Sequence, residues 1–442
     1  MPSPSVNTSP LGGAEALPGR YARLLAETRE RTLALVAPVS ARDADRQHSP
    51  IASPLTWDLG HIAAFEDLWL CHRAGGLEPL RSDLLEVYDA TETPRPERGE
   101  LAFLPFPEAR EFLDTVRTRS LAVLAGSDLC ERSDPLNALG FVWEMVLRHE
   151  QQHNETMLQG LQLAPRGIYA PERRAIAGRA EATPSGMVVV PAGPFLLGAA
   201  PDRFAYDNER PRHEVELPPF AIDRTPVTLA QFLEWMEDGG YERREWWSEE
   251  GWAWRRDEGI ERPLYVGVDG RVRSFDWVDP PRLDEPVMHV SWFEADAFAR
   301  SRGKRLPTEA EWEKAATWDP AGGVKRTRPW GEAPPDPALA NLDQTAFGPA
   351  PVGAHPQGAS AYGVLGMLGD AWEWTASEFG AYPGFAAFPY REYSEIFLGR
   401  GYRVLRGGSW ATRARVASAT FRNWDHPQRR QIFAGFRCAA DA

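Results

Sequence analysis

The sequence predicts two domains of different fold class, an antiparallel all-α bundle followed by an α+β domain. Residues 21–163 are rich in Ala, Leu, Glu and Arg, and their apolar residues recur at three- and four-residue steps, which is typical of amphipathic helices. Residues 187–442 instead combine short apolar runs with frequent Gly, Pro and Trp, which indicates short strands joined by long loops. With 442 residues, the chain is long enough for each domain to bury its own core.

The first domain contains four segments with helical spacing, which favours a four-helix bundle with at least one long connection. These segments are 21–36, 56–71, 107–124 and 136–163. The connection 75–105 is unusually long for a compact domain, and such loops are usually functional or disordered. Residues 1–20 are rich in Pro, Ser and Gly, and we expect them to form a flexible tail.

The second domain follows a predicted linker, 164–186, and begins with a short strand at Met187. Helical patterns are present at 228–238 and 291–302. A third helix is predicted to begin at Thr308, because Thr308 and Glu311 have the spacing of a capping box.

The charge balance limits the classes of partner. Lys and Arg number 49 against 63 Asp and Glu, a net charge of −14, which disfavours nucleic acid or an anionic membrane as a partner. No apolar run approaches the ~20 residues that span a bilayer. The three cysteines are far apart and no secretory signal pattern is present, so we expect a soluble cytoplasmic protein. The sequence leaves the oligomeric state open.

Two histidines one helical turn apart form a candidate metal site. At about 100° per residue, His149 and His153 lie about 40° apart on the predicted helix 136–163, so both imidazoles can reach one ion. Glu155 lies roughly 160° from His153 on the same count, so we expect it to support a histidine N–H rather than to bind the metal. Surface helices also carry such histidine pairs by chance.

A third histidine, His61, lies early in the predicted helix 56–71 between apolar neighbours. Alone, such a residue is most often a core histidine bonded to a carbonyl group. With His149 and His153 it would complete a set of three neutral nitrogen ligands with open positions, which suits catalytic Zn²⁺ or non-haem Fe(II). Spacing does not choose between these metals. The other histidines are predicted to be solvent-facing or structural: His48, His72, His213, His289, His355 and His426.

The C-terminal domain contains five short sequence motifs whose order is specific. They are 226–228, 285–292, 305–313, 369–375 and 406–410. Together they resemble the formylglycine-generating, or sulfatase-modifying, domain, which has a C-type-lectin-like fold. Formylglycine-generating members use a cysteine pair after the Gly-Gly-Ser segment, whereas residues 410–420 here contain no cysteine. The resemblance therefore implies the scaffold without that copper chemistry.

The order of the two domains gives a sharper resemblance. A DinB-like four-helix bundle with His-x3-His-x-Glu, joined to a sulfatase-modifying domain without the cysteine pair, resembles the iron-dependent sulfoxide synthases of ergothioneine biosynthesis. The stretch 421–433 is most similar to the mycobacterial type of hercynine oxygenase, which uses γ-glutamylcysteine. The resemblance covers 21–442. It implies an oxidoreductase that uses Fe(II) and O2 to join hercynine and γ-glutamylcysteine as γ-glutamyl-hercynylcysteine S-oxide.

The resemblance also assigns the metal ligands and a catalytic tyrosine. The three iron-binding histidines of the family correspond to His61, His149 and His153. The catalytic tyrosine corresponds to Tyr390, whose phenol would steer oxidation towards C–S bond formation. Tyr390 could instead be a packing aromatic, and Tyr393 is the nearest rival for its role.

The substrate-binding residues are likewise implied by the resemblance. A quaternary ammonium group cannot donate a conventional hydrogen bond, so hercynine requires an aromatic wall, for which Trp424, Tyr393 and Trp57 are suited. Asn423 and Gln152 are expected to meet its carboxylate and imidazole.

For γ-glutamylcysteine, Arg95 and Arg98 would hold a carboxylate, Asp425 would meet the ammonium group and Arg429 would add a polar contact. On sequence alone, Arg95 and Arg98 also fit a solvated pair of loop charges.

Three alternatives remain at this stage. The first is the same chemistry with free cysteine as the thiol. The second is a non-catalytic ligand-binding protein, since lectin-like folds often only bind. The third is a zinc-dependent thiol transferase built on the bundle, which would leave the second domain without a clear purpose.

Overall fold

The computed structural model describes residues 17–130, 133–172, 174 and 184–442. It confirms the predicted fold class, a helical bundle followed by a sheet-rich domain with interspersed helices. Residues 1–16 of the predicted tail, and residues 173 and 175–183 of the predicted linker, lie outside the described residues. The first helix begins at Leu17, so the last four residues of the predicted tail are helical.

In the part of the bundle that the structure describes, there are four long helices and one short one. They are α1 (Leu17–Val36), α2 (Ala41–Ala44), α3 (Leu55–Glu66), α4 (Phe106–Gly126) and α5 (Phe141–Leu163). A π-helical segment, Asp67–Ala74, continues α3 directly. Short 3-10 turns occupy Ser82–Leu84, Arg95–Glu100 and Ala138–Gly140. The last helix begins five residues later than its predicted start at 136, because Leu139 and Gly140 have positive φ angles of 54° and 75° that interrupt helical winding.

A buried cluster of charges, one from each long helix, joins the bundle. Arg29 of α1 and Arg117 of α4 each bind both Glu66 of α3 and Glu150 of α5, with N–O distances between 2.7 and 2.9 Å. Burial alone would raise the pKa of Glu66, but Arg117 and Arg29 lower it to about 2. Because the two positive and two negative charges are fully paired, the cluster is satisfied in the bundle interior. We call these four residues the charge quartet.

The C-terminal domain is built from short strands and four helices within the described residues. The helices are α6 (Leu229–Glu237), α7 (Glu249–Asp257), α8 (Trp292–Ser301) and α9 (Glu309–Thr317). The strands are β1 (Met187–Val190), β2 (Gly193–Leu197), β3 (His213–Leu217), β4 (Phe220–Asp223), β5 (Val272–Ser274), β6 (Trp277–Asp279), β7 (Trp318–Asp319), β8 (Val324–Lys325), β9 (Trp372–Glu378), β10 (Arg403–Arg406), β11 (Asn423–Asp425), β12 (Ala434–Gly435) and β13 (Ala439–Asp441).

Two small sheets organise this domain. One has the order β11-β10-β9-β12, with only β12 parallel to its neighbour, and the other is an antiparallel sheet of order β1-β4-β13. The hairpins β2–β3, β5–β6 and β7–β8 complete the strands. The predicted helices at 228–238 and 291–302 are confirmed as α6 and α8, and Thr308 and Glu311 form the predicted capping box of α9. Helix α7 escaped prediction, because its sequence combines a glycine with charged residues and lacks a regular apolar stripe.

The two domains share a continuous hydrophobic core. Trp69 and Trp143 of the bundle belong to the same buried cluster as Trp372 and Phe421 of the C-terminal domain. This packing sets the α5 face of the bundle against the sheet that contains β9. Among the described residues, no helix is both long and apolar enough to cross a lipid bilayer.

Candidate metal centre and substrate site

The three predicted ligand histidines converge in the bundle. One side-chain nitrogen each from His61 on α3 and from His149 and His153 on α5 lies within 4.8 Å of the others. The Nε2 atoms of His61 and His149 are 3.1 Å apart. Two nitrogen ligands at right angles around an ion ~2.1 Å away would be separated by about 3 Å, so this spacing fits a shared metal.

The ring of His61 is oriented by the loop that follows the bundle's second long helix. Its Nδ1 lies 2.7 Å from the carbonyl oxygen of Tyr88, which places the ring hydrogen on Nδ1 and leaves the Nε2 lone pair for a metal. A Cβ atom at position 60 would lie 2.1 Å from the Tyr88 ring, so Gly60 is what lets this loop approach α3. The glycine immediately before His61 therefore has a local structural reason.

The carboxylate beside His153 is Asp58, not Glu155. Asp58 Oδ1 lies 3.3 Å from His153 Nδ1, and both atoms are buried without an aligned hydrogen bond among the described residues. The expectation that Glu155 supports a histidine is wrong. Both Glu155 oxygens are occupied by the C-terminal domain, and Asp58 lies on α3, one turn before His61.

The surroundings keep His61 and His149 neutral and fix their rings. Burial, followed by the charge of His153, lowers the pKa of His61 and His149 well below the usual range. The His149 ring stacks on Phe65 at a centroid distance of 3.7 Å, and the His61 ring stacks on Trp57 at 5.0 Å. The three converging imidazoles form a donor set that fits Fe(II) or Zn²⁺.

Tyr390 reaches the bundle from the C-terminal domain. Its ring lies 5.0 Å from Trp69 and meets Phe65 edge-on at 6.1 Å, and Phe65 in turn stacks on His149. Burial, followed by the neighbouring Tyr206 and acidic groups, raises the pKa of Tyr390 well above its usual range. The loop that holds Tyr390 therefore lies one aromatic ring away from a metal-ligand candidate.

Tyr393 lies between two further aromatic rings. It stacks on Tyr206 at 4.2 Å and meets Trp424 at 6.0 Å and 88°. The Gln152 amide donates a 2.7 Å hydrogen bond to the Tyr206 hydroxyl, which connects this aromatic group to the helix of His149 and His153. Asn423 precedes Trp424 on β11, and its Oδ1 accepts the Trp424 N–H at 2.9 Å. Four predicted hercynine-binding residues are thus brought together.

Trp57 and Arg98 lie on the bundle side of the histidines. The Arg98 guanidinium is 3.7 Å above the ring of Trp57, whose indole N–H donates to the Val87 carbonyl oxygen at 2.9 Å. Arg98 is 5% exposed, and it donates to Ser53 Oγ and to two backbone carbonyl groups. Burial lowers the pKa of Arg98 to about 10. Much of this arginine is therefore committed to holding the loop over Trp57.

Arg95, Asp425 and Arg429 lie near enough to Tyr402 for their charges to act on its hydroxyl group. Burial and the Asp425 charge raise the pKa of Tyr402, and the charges of Arg429 and Arg95 lower it. Arg429 Nε lies 3.8 Å from Asp425 Oδ1, and the Tyr402 ring stacks on His426 at 4.1 Å. A loop of the bundle and the strand β11 therefore contribute charges of both signs to one region.

Several residues of the site were not predicted from the sequence. Asp58 lies three residues before His61, so its helical spacing was a usable signal. Phe65 lies one turn after His61, so helical spacing also pointed to it. Tyr206 had no comparable signal, because it belongs to a loop of the other domain and approaches Gln152 only through the docking of the two domains.

Comparison with known families supports the two-domain assignment. Residues 24–157 match the DinB superfamily, and residues 172–442 match the sulfatase-modifying factor enzyme 1-like domain. These matches agree with the helical bundle and the sheet-rich domain of the structure.

Relatives named hercynine oxygenase match nearly the whole chain. The protein from Mycolicibacterium thermoresistibile is 48% identical, over 96% of this chain and 96% of its own length. The protein from Mycolicibacterium smegmatis is 46% identical, over 94% of this chain and 97% of its own. The protein from Mycobacterium tuberculosis is 46% identical, over 96% of this chain and 99% of its own. The resemblance inferred from the sequence is confirmed: the chain belongs to the hercynine oxygenase family and is an enzyme.

Proposed function

We propose that this enzyme joins hercynine to γ-glutamylcysteine with O2 and forms γ-glutamyl-hercynylcysteine S-oxide and water. The imidazole C2–H and thiol S–H bonds break, a C–S bond forms, and the two atoms of O2 end in the sulfoxide and in water. Reduction of the two oxygen atoms of O2 takes four electrons. Both substrates are oxidised and supply them, so no external reductant is needed. The observation that carries this proposal is the cluster of three histidine nitrogens within 4.8 Å, beside the loop of Tyr390.

The proposed metal is Fe(II), held by His61, His149 and His153. When bound there, the ion supplies the redox chemistry by which O2 oxidises the two substrates. The low pKa values of His61 and His149 favour metal binding, because protons do not compete for their lone pairs at neutral pH. Zn²⁺ also fits nitrogen ligands but has no redox chemistry, so the identity of the metal is part of the test.

Tyr390 is the proposed proton donor. Its raised pKa keeps the phenol protonated at neutral pH, so its Oη–H can donate to an oxygen atom developing negative charge. Delivery of that proton favours C–S bond formation over the addition of both oxygen atoms to the thiol. Tyr393 also has a raised pKa, but its stacking between Tyr206 and Trp424 suits substrate binding better.

The proposed hercynine site is the aromatic group around Tyr393 and Trp424. These rings lie 6.0 Å apart at 88°, and a trimethylammonium group is proposed to bind against a ring face by cation–π attraction. Gln152 uses its amide N–H on Tyr206, which leaves Oε1 to accept the imidazole N–H. Asn423 is proposed to meet the carboxylate, and Trp57 backs the site by stacking on His61.

The proposed thiol site lies at Arg95, Asp425 and Arg429, with Arg98 behind it. γ-Glutamylcysteine has two carboxylates and one ammonium group, so it requires charges of both signs, and charges of both signs act on Tyr402. Arg98 lies in the same loop as Arg95. It donates a hydrogen bond within that loop, and its guanidinium packs on Trp57, which holds the loop there. Free cysteine has one carboxylate fewer and would leave part of this charge unpaired.

The test is anaerobic reconstitution with Fe(II), followed by O2 and product mass analysis with hercynine and either thiol. The proposal predicts the γ-glutamyl sulfoxide as the main product, with incorporation of one atom from labelled O2. A product formed faster from cysteine would change the thiol assignment. Protein that binds no Fe(II) and takes up no O2, or that is active with Zn²⁺ alone, would contradict the proposed metal and reaction.

The proposed setting is the cytoplasm. Cys71 and Cys438 are buried as free thiols, and Cys130 is a free exposed thiol. Free thiols persist in a reducing compartment, where a thiol substrate also remains reduced.

A further inference from the structure

The loop that contains Tyr390 and Tyr393 is attached at both ends to one carboxylate. Asp207 Oδ2 accepts the backbone N–H of Phe388 at 3.2 Å, and Asp207 Oδ1 accepts the hydroxyl of Ser394 at 2.6 Å. These two attachment points lie on either side of the two tyrosines. Asp207 is 5% exposed and Ser394 is fully buried, so the hydrogen bond from Ser394 is shielded from water, whereas the one from Phe388 is partly buried.

The residue next to Asp207 is bonded to the metal-ligand helix. Tyr206 stacks on Tyr393 at 4.2 Å, and its hydroxyl accepts the hydrogen bond from Gln152, which precedes His153. Asp207 therefore holds the loop, while its neighbour holds the helix of the histidines. Positions 206 and 207 together connect the two parts of the site.

The turn that contains Asp207 is itself held in place by hydrogen bonds. Asp207 begins a 3-10 turn that ends at Glu209. Glu209 accepts the Tyr206 N–H at 2.8 Å and the Thr420 hydroxyl at 2.6 Å. The turn is thus anchored within its own domain before it reaches the loop.

We propose that Asp207 is a positioning residue that fixes the 388–394 loop and thereby sets the place of the Tyr390 phenol beside the three histidines. This inference rests on the proposed function of Tyr390. We call the two hydrogen bonds that Asp207 accepts from Phe388 and Ser394 the clamp. Without it, the loop would be held mainly by ring contacts, which join Tyr390 to Trp69 and Phe65, Tyr393 to Tyr206 and Trp424, and Phe388 to Phe141. These contacts resist sliding less than two directed hydrogen bonds do, so the phenol would lose its fixed position.

The first experiment needs no substrate. Amide hydrogen exchange of the peptide that covers 386–396 is compared among the wild type, Asp207→Ala and Asp207→Asn. Asp207→Ala is expected to speed exchange at Phe388 by about tenfold or more, because its N–H loses its acceptor. Asp207→Asn is expected to stay close to the wild type, because its Oδ1 can accept from Phe388 while its amide donates to Ser394.

A matched control is Asp336→Ala, which removes an aspartate that accepts the backbone N–H of Ala338 in another loop. This variant is expected to leave exchange at 386–396 unchanged. Unchanged exchange in Asp207→Ala, or equal acceleration in both alanine variants, would overturn the clamp. This result does not depend on the reaction that the enzyme performs.

The second experiment measures the partition between the sulfoxide and the sulfinate, in which both oxygen atoms of O2 are added to the thiol. Asp207→Ala is expected to shift products towards the sulfinate, and Asp207→Asn to restore most of the sulfoxide. The double variant Asp207→Ala/Tyr390→Phe is expected to match Tyr390→Phe alone, because both changes act through one phenol.

Two results would contradict the positioning role. One is an additive effect in the double variant, and the other is an Asp207→Asn variant as impaired as Asp207→Ala, which would point to a role for the charge. Fe(II) affinity is measured in parallel and should not change, since Asp207 is not among the metal-ligand candidates. A wild-type enzyme that forms no sulfoxide would instead disprove the proposed function and leave the exchange result standing.

Discussion

The indole N–H of Trp372 donates a 2.8 Å hydrogen bond to Glu155, which lies two residues after His153 on α5. The same carboxylate accepts the hydroxyl groups of Ser409 and Thr412, each at 2.6 Å. Two of the sequence motifs that resemble the sulfatase-modifying domain, 369–375 and 406–410, therefore bind the same side chain of the bundle. Glu155 docks the C-terminal domain onto the helix of the histidines.

Removal of this carboxylate should weaken the interface between the domains. Glu155→Ala leaves three buried donors without an acceptor, so we expect the free energy of unfolding to fall by about 3 kcal/mol. Urea unfolding at pH 7 measures this change. The matched control is Glu250→Ala, at an exposed position of α7, which should change stability by less than about 0.5 kcal/mol. Equal effects of the two substitutions would show that Glu155 does not stabilise the docking.

The charge quartet should be intolerant of losing one member. Arg117→Met leaves Glu66 and Glu150 with uncompensated buried charge, so we expect destabilisation by about 3–5 kcal/mol. Arg31→Met breaks an exposed ion pair with Glu27 and should cost about 0–1 kcal/mol. Thermal or urea unfolding compares the two variants. A small loss in Arg117→Met would mean that the bundle does not depend on the quartet.

Tyr390→Phe should divert the reaction without preventing metal binding. Loss of the phenol hydroxyl removes the proposed proton donor, so we expect sulfoxide formation to slow by about 100-fold while sulfinate accumulates. Product mass analysis measures the partition. Tyr393→Phe is the matched control and should retain the sulfoxide as its main product. If Tyr390→Phe leaves the partition unchanged, Tyr390 has no part in the chemistry.

His289 should make the protein less stable in mild acid. It is 8% exposed, and burial lowers its pKa to about 4. Because the unfolded chain binds this proton near pH 6.5 and the folded protein only near pH 4, stability is lost as the pH falls between these values, by about 3 kcal/mol at most.

His289→Asn removes this titration, and asparagine tolerates the positive φ of 61° at this position. Urea unfolding at pH 7.5 and 4.5 should therefore show a smaller acid-induced loss for this variant than for the wild type. The matched control is His213→Asn, at a partly exposed position, which should lose as much stability between pH 7.5 and 4.5 as the wild type does. Parallel pH profiles for the wild type and His289→Asn would contradict the assignment.

The features that could be predicted from the sequence depend on local spacing. The one-turn spacing of His149 and His153 follows from helix geometry, and the capping box of Thr308 and Glu311 follows from four consecutive positions. The convergence of His61 with these two histidines was a hypothesis until the structure brought their nitrogens within 4.8 Å. The order of short sequence motifs in 187–442 was enough to predict the domain family.

The features that escaped prediction depend on how distant segments dock. Helix geometry correctly turned Glu155 away from the metal, but its partners lie 217 to 257 residues further along the chain. The charge quartet likewise requires knowledge of which helices are neighbours. Asp207 could not be connected with Phe388, 181 residues away, without the fold of the C-terminal domain that contains both residues.

The most direct test of the three-histidine iron site is the stoichiometry and affinity of anaerobic Fe(II) binding in the wild type and in His61→Ala. His61 is decisive because it is the ligand candidate contributed by α3, whereas His149 and His153 both lie on α5. We expect one ferrous ion per chain and a loss of affinity in His61→Ala larger than the about 10–100-fold caused by removing an outer partner of a ligand. Fe(II) binding that is absent from the wild type, or unchanged in His61→Ala, would contradict the three-histidine site.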